Sequence, residues 1–440
     1  MNRRGFAKSL IAAAPVMPAA AVQQYEQRTK GLPPLVIKDV KVIKTNGGRG
    51  YRWVFLKIIT SEPGLYGIGS ANNNYQVGAV IAALEQHLAP WLLGKNPDRI
   101  EDLWQSANYR TYWRQGPINN NVLAAMDMAL WDIKGKRAGM PIYELLGGKV
   151  RDAVACYDHA GGTDMPRALE SVQKSMASGF RHIRVQYGEG GYGGGGFLRP
   201  KEGNRAEGGY TGWAFDEDLY LDTIPKVFDF LRGKIGFGVK LCHDVHSHLS
   251  GVNAVEFSRR MQPYQMLFLE DVLAPEQVEW YRNIRQVCST PQAVGEVFSH
   301  PYEYIPLVAN RLIDFVRCRI SANGGFTPMR KVLAFCEYFG VKTAFQEGGE
   351  NDPINQMASY HLDISTPAFG IQEENRFSDL VHEMLPGTGV IKNGYLYGSD
   401  KPGIGVDINE QIVAKYPLEL PKNGGAYQTD RAIDGSVVRP

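Results

Sequence analysis

Asp244, Glu270 and Glu296 follow one another at a constant interval of 26 residues, and each closes a short apolar run: Leu241-Cys-His-Asp244, Leu267-Phe-Leu-Glu270 and Ala293-Val-Gly-Glu296. That interval is the length of one strand, one helix and their connections, so each unit delivers one carboxylate to one end of a set of neighbouring strands. A single acid at a strand end is accounted for by a salt bridge. Three gathered at one point repel one another and hold on to protons unless a cation sits between them. A hard divalent ion with oxygen ligands resolves the repulsion, and Mg²⁺ fits because it keeps water positions that substrate oxygens can take. The expected metal ligands are therefore Asp244, Glu270 and Glu296.

Such a constellation requires repeated strand–helix units, and the pattern supplies them. Apolar runs at 154–160, 182–186, 240–246, 266–271, 293–298, 315–319, 342–346 and 369–373 alternate with helical patterns at 166–177, 219–231, 252–261, 276–287, 302–311, 328–339 and 354–362. Seven helices between eight strands predict a parallel (β/α) barrel, with an open doubly wound sheet as the alternative. In a barrel the site gathers at the carboxyl ends of the strands, where the three acids fall. Ahead of it, alternating runs at 36–44 and 52–60 around Asn46-Gly-Gly predict an antiparallel hairpin, and helical patterns at 77–93, 99–109 and 120–138 complete a small α+β domain. The expected division is a leader and linker over 1–34, the α+β domain over 35–152, the barrel over 153–378, and a segment over 379–440 that packs back on the first domain. One connection is far too long. About 30 residues, beginning Tyr187-Gly-Glu-Gly-Gly-Tyr192, follow the second barrel strand where a handful is usual, and their place at a carboxyl end predicts a lid.

The 48 basic and 46 acidic residues are well mixed, which excludes an electrostatic footprint for nucleic acid and points to small-molecule partners. Five scattered cysteines predict neither a disulfide framework nor a zinc site. The start of the chain, with Arg3-Arg4-Gly-Phe-Ala-Lys8, a short apolar middle and a small-residue tail, reads as a twin-arginine secretory signal, so a periplasmic or secreted protein is expected, with a frayed cytosolic start as the alternative. That apolar middle is well short of the ~20 residues of a membrane span. A homo-oligomer is expected.

Several runs carry a family resemblance: Gly67-Ile-Gly-Ser-Ala-Asn-Asn-Asn74, Tyr112-Trp-Arg-Gln-Gly-Pro117, Asp127-Met-Ala-Leu-Trp-Asp-Ile-Lys-Gly-Lys136, His182-Ile-Arg-Val-Gln186, His243-Asp-Val-His246 and Gly295-Glu-Val-Phe298. Through them nearly the whole mature chain resembles the enolase superfamily and, within it, the mannonate dehydratase subgroup that includes proteins labelled starvation-sensing. The resemblance implies an α+β domain capping a barrel, one Mg²⁺, and dehydration of a six-carbon acid sugar to a 2-keto-3-deoxy acid, with a substrate that need not be mannonate. Mg²⁺ on a carboxylate stabilises the enediolate left when the neighbouring carbon loses its proton.

The resemblance also assigns roles. Other branches take that proton with a Lys-x-Lys pair on strand two or a His-Asp pair across strands seven and six; this chain has Arg184-Val-Gln186 and Gln346 at those places. In the resembled subgroup the strand-two arginine, here Arg184, works with a loop tyrosine as base. The family's interval lands on Gly196, but the stretch from Arg184 to Asp244 is three residues shorter than the family's, which selects Tyr192 over Tyr187 and Tyr210. His246 matches the acid that protonates the departing hydroxyl. Asn74, His159 and Arg317 match substrate-binding positions, and Glu373, ending strand eight, is expected at the substrate hydroxyls. Strand seven departs most: the family reads His-Gly-Pro-Ser/Thr-Asp where this chain reads Gln346-Glu-Gly-Gly-Glu350, so two substrate contacts change chemistry, and glutamine can donate a hydrogen bond but cannot titrate. A tryptophan found near the family's C-terminus is also missing. Two further readings stay open: an epimerase or racemase on the same enediolate chemistry, which needs a second acid/base that strand seven does not offer, and a non-catalytic acid-sugar sensor.

Overall fold

Period-two alternation pairs β1 (Ile37–Thr45) with β2 (Trp53–Thr60) as an antiparallel hairpin, Val42 opposite Leu56. The protein is seen in a computed structural model that describes residues 34–73, 75–189, 192–421 and 429–438; the proposed leader and Asn74 lie outside them. A third strand, β3 (Tyr66–Ser70), extends the sheet beyond β2. Its glycines hide it from a pattern reading, and packing requires them. A Cβ on Gly67 would stand 2.0 Å from the Ala129 carbonyl oxygen and one on Gly69 2.1 Å from that of Ala125, because the helix Pro117–Ala138 lies directly on the strand. That helix starts with proline in its first turn and ends on left-handed Gly139 (φ 68°), the usual asymmetry of helix ends.

The barrel follows. Its first strands are β4 (Val154–Gly162) and β5 (His182–Tyr187), and the long loop after β5 carries a small hairpin of β6 (Phe197–Leu198) and β7 (Ala214–Phe215). Then come β8 (Lys240–Asp244), β9 (Leu269–Glu270), β10 (Gln292–Val294), β11 (Phe315–Val316), β12 (Lys342–Thr343) and β13 (Gln372–Glu373). All eight barrel strands run parallel, in chain order from β4 to β12, and β13 closes the ring on β4 with Gln372 opposite Cys156, while Thr343 bridges Phe369. A doubly wound sheet would reverse its order and leave two edges, so closure decides for the barrel. Helix starts along it are fixed by side-chain caps: Asp164 accepts from the Arg167 N–H, Asp216 from Leu219, and Asp352 from Ile354 and Asn355.

The C-terminal segment meets the first domain at its start, where Leu380 Cδ2 would stand 2.5 Å from a Cβ on Gly48, and again in its middle part. A hairpin of β14 (Val390–Lys392) and β15 (Tyr395–Tyr397) pairs antiparallel with the barrel strand β4, Leu396 opposite Val154. The chain then bridges Pro141 at Gly403, receives the Tyr66 hydroxyl on Asp407 at 2.5 Å, and accepts from Asn46 N–H at the Tyr416 carbonyl. Finally β16 (Asp430–Arg431) and β17 (Val437–Val438) form a hairpin against the lid, Ala432 bridging Phe215. All five cysteines are buried and free. Among the described residues no helix is long and apolar enough to cross a membrane.

Candidate active site

The three acids gather at the carboxyl ends of neighbouring strands: Asp244 on β8 lies level with Glu270 on β9, while Glu270 is level with Ala293 on β10, so Glu296 stands further along, in the turn beyond that strand. After Asp244 the chain turns through two left-handed residues, His246 (φ 54°) and Ser247 (φ 64°), and the His246 N–H donates to Asp244 Oδ1 at 2.8 Å. A non-glycine pair in that region is strained, and here it returns the imidazole over the strand end. One ligand atom each from Asp244, His246 and Glu296 lies within 4.8 Å of the others. Glu270, expected in the same set, commits only one of its two oxygens to other partners. Its Oε1 is paired to Arg184 at 2.9 Å and Arg317 at 2.8 Å, because a carboxylate with no exposure takes the nearest permanent cations.

The site fits a divalent cation. Glu270 Oε2 is buried with no hydrogen-bond partner, an acceptor that a metal would satisfy. Burial pushes the Asp244 carboxyl up to about 7, with Glu296 and Asp271 adding to the rise and Arg184 opposing it. Burial also carries Glu270 well above the usual carboxylate range against the pull of Arg317. Asp244, Glu270 and Glu296 would hold the ion.

Arg184, on β5, is the electrostatic hub. Its guanidinium meets Glu270 at 2.9 Å, Glu373 at 3.1 Å and Asp244 at 3.5 Å, and donates to the Tyr192 hydroxyl at 3.1 Å. The Tyr192 ring stacks on His246, centroids 4.3 Å apart and planes 19° from parallel. Neither other tyrosine is placed this way: Tyr187 flanks Gly195, and Tyr210 lies beside Arg205 and Arg431. Arg317, fully buried, pairs with Glu296 at 2.7 Å and Glu373 at 2.8 Å and donates to Tyr157 at 3.1 Å. Burial alone would raise the Glu373 carboxyl, but Arg317, Arg184 and His159, whose Nε2 is 2.9 Å away, hold it well below the usual range. Burial pushes the Tyr192 phenol up against the pull of Arg184, and pulls the His246 imidazole down to about 4.

Residues 40–147 match the family described as "Mandelate racemase / muconate lactonizing enzyme, N-terminal domain", and residues 167–412 match "Enolase C-terminal domain-like". The chain belongs to the enolase superfamily. A D-galactonate dehydratase family member from Paenibacillus sp. is 46% identical over 408 residues, 92% of this chain and 99% of that one. Another from Pantoea ananatis is 45% identical, with the same coverage. The crystal structure of an enolase from Pantoea ananatis with bound D-gluconate and Mg superposes with a TM-score of 0.87 at 45% identity, over 92% of this chain and all of that one. The two curated relatives are named as members of the D-galactonate dehydratase family, so the narrower likeness to mannonate dehydratases gives way to a broader one.

Against that enolase-superfamily frame, the altered strand-seven loop serves two structures at once. Gln346 is buried with its amide oxygen unpartnered, and Glu350 accepts from Arg319 at 3.2 Å. The Glu350 carbonyl also accepts from Trp53 Nε1 at 3.1 Å and Asn72 Nδ2 at 2.8 Å, while Ser70 donates to Asp352 at 2.5 Å, so the loop is fastened to the capping domain.

Sequence reasoning missed Glu347, Tyr157 and Asp271. Glu347 is fully buried among Asn351, Asn355 and Ser359, and burial pushes it up to about 8. Asp271 accepts from the Gly295 N–H at 2.8 Å and the Glu296 N–H at 3.3 Å, fixing the turn that carries a proposed ligand; Gly295 there has φ 129°, open only to glycine. The one sequence signal was an acid adjoining Glu270. Asp271→Asn is expected to weaken Mg²⁺ binding about 10- to 100-fold, the usual cost of losing a ligand's supporting hydrogen bond. Calorimetric titration measures this, and unchanged affinity would remove Asp271 from the site's support.

Metal affinity should also depend on pH. Because the folded-state Asp244 carboxyl is raised from 3.8 to about 7, the metal-free protein holds a proton there that an unfolded chain has lost. This group therefore lowers metal-free stability as pH rises from about 4 to 7, and Mg²⁺ must displace the proton below 7. Mg²⁺ affinity is expected to climb at least about tenfold per pH unit from 5 to 7, because Asp244 must give up its proton and Glu270, also raised, adds to the slope. A flat profile would mean that Asp244 is not a ligand.

Proposed function

We propose that this chain is an Mg²⁺-dependent hydro-lyase that dehydrates an acid sugar to a 2-keto-3-deoxy acid. The observation that carries the reading is the juxtaposition of two groups at one barrel mouth. Asp244, Glu270 and Glu296 stand at successive strand ends, and beside them Arg184 donates to Tyr192, whose ring stacks on His246. Those carboxylates would hold Mg²⁺, which when bound would supply positive charge to the substrate carboxylate and make its α-proton more acidic. Arg184 orients the Tyr192 oxygen and, as its nearest cation, favours the phenolate that takes the proton from C2. His246, held by the left-handed turn, delivers a proton to the departing C3 hydroxyl, and the enol so formed ketonises by taking a solvent proton at C3. The roles require Tyr192 ionised and His246 protonated, the reverse of what burial alone favours, so they depend on the charges brought by substrate and cation. His159, Arg317 and Glu373 form one linked network with Arg184 and the acids, and with Gln346, Glu350 and Asn74 they are the proposed substrate contacts. Gln346 in place of a titratable histidine leaves no base for the opposite face of the substrate, which favours elimination over epimerisation.

Mg²⁺ and D-gluconate in the Pantoea ananatis structure, and the D-galactonate dehydratase name of the relatives, make six-carbon aldonic acids the first class to try. Incubation of the protein with a panel of aldonic and uronic acids should yield a 2-keto-3-deoxy product, trapped with semicarbazide, with Mg²⁺ and not with a chelator. No product from any acid would overturn the substrate class. The paired Arg3-Arg4 supports export of the folded protein, for which fractionation of Arg3→Lys/Arg4→Lys against the unchanged chain is the test: the variant should stay in the cytoplasm. Tyr112, Trp113 and Tyr302, each more than three-quarters exposed, support a homo-oligomer, which light scattering measures.

A further inference from the structure

The C-terminal hairpin Asp430–Val438 lies beyond the matched family range, which ends at 412, and the reaction as described makes no use of it. It touches the lid at three places. Ala432 bridges Phe215 on β7; Ile433 fills the space a side chain on Gly203 would need, its Cδ1 2.8 Å from that position; and Arg431 faces the Tyr210 ring at 6.0 Å. Its fourth contact reaches inward. Asp430 Oδ2 meets His248 Nε2 at 3.1 Å, and both side chains are almost wholly buried. His248 Nδ1 is 3.1 Å from the Val245 carbonyl, so the imidazole ties the hairpin to the turn after β8.

That imidazole is a wall of the catalytic corner. A Cβ on Gly193, the neighbour of Tyr192, would come within 3.2 Å of the His248 ring, so the lid backbone rests against it. The Phe215 ring lies 4.9 Å from the imidazole and the His246 ring 6.0 Å. A shift of His248 therefore frees Gly193, and with it the tyrosine stacked on His246.

We propose that Asp430 is a positioning residue for the reaction: through His248 it straps the lid closed and holds Tyr192 against Arg184 and His246. The proposal builds on Tyr192 and His246 as base and acid, but its first test needs no substrate. Lys201 and Arg205 lie in the lid and are followed by residues trypsin accepts. Asp430→Ala should raise the rate of tryptic nicking at these two sites at least tenfold, with the protein still folded at the assay temperature and Mg²⁺ affinity within about threefold, since the partner of Asp430, His248, is not a proposed metal ligand. Ile433→Asp loosens the strap from its half-buried outer side without touching the buried pair, and should show the same nicking. On an acid the protein turns over, both variants should lose about 10- to 100-fold in kcat with KM within about threefold. Wild-type nicking rates in both variants, or faster nicking with kcat unchanged, would overturn the strap. Should no acid be turned over, the dehydratase reading fails, while the nicking rates still decide whether the hairpin holds the lid.

Discussion

Glu270→Gln is expected to lower turnover by about 100- to 1000-fold, the usual cost of removing one interaction aimed at charge that develops in a transition state. The substitution keeps size and removes a charge from the middle of the proposed ligand set. Mg²⁺ affinity should fall with it. Metal-free stability should not. Arg184 keeps Glu373 at 3.1 Å and Asp244 at 3.5 Å, and Arg317 keeps Glu373 at 2.8 Å and Glu296 at 2.7 Å, so neither guanidinium is left alone. The replaced carboxyl is one that burial already pushes toward its neutral form, and glutamine is neutral. The metal-free variant is therefore expected to melt no lower than the metal-free parent. A variant that binds Mg²⁺ as before would show that Glu270 belongs to the arginine network alone.

Tyr192→Phe should cost about 100- to 10,000-fold in kcat, the range of a positioned general base, and leave KM nearly unchanged. Phenylalanine preserves the stack on His246 and removes only the oxygen that accepts from Arg184. Tyr187→Phe and Tyr210→Phe are the controls. Their rings lie against Gly195 and beside Arg431, away from Arg184, and each is expected to keep activity within about threefold. Full activity in Tyr192→Phe would return this tyrosine to the role of a lid side chain that covers the pocket.

The repeat of strand and helix was legible because it is local: apolar runs and helical periodicity survive in one dimension, and the even spacing of Asp244, Glu270 and Glu296 places them all at the carboxyl ends of neighbouring strands, though Glu296 stands beyond the level that Asp244 and Glu270 share. The glycine strand Tyr66–Ser70 was not legible, because its composition answers to a helix that presses on it from 60 residues away. Nor was the course of the tail. Pairing of Leu396 with Val154, and of Ala432 with Phe215, depends on which edge and which lid surface the rest of the fold leaves free. Within the site, residue types were readable and directions were not. Whether Glu270 faces a metal or two arginines is set by side-chain rotation at a strand end, and Asp271 orients Glu296 through backbone N–H groups that no sequence pattern reveals.

The central claim, that these acids and Tyr192 together remove an α-proton and expel the neighbouring hydroxyl, is tested most directly by proton NMR in deuterium oxide with Mg²⁺ and the six-carbon aldonic acids. The expected product is a 2-keto-3-deoxy acid carrying a single deuterium at C3, formed by the wild-type protein and lost in Glu270→Gln and Tyr192→Phe alike. Deuterium entering C2 of a returned, inverted acid would establish epimerisation instead. Acids that bind yet come back unlabelled and undehydrated would contradict catalysis at this site altogether.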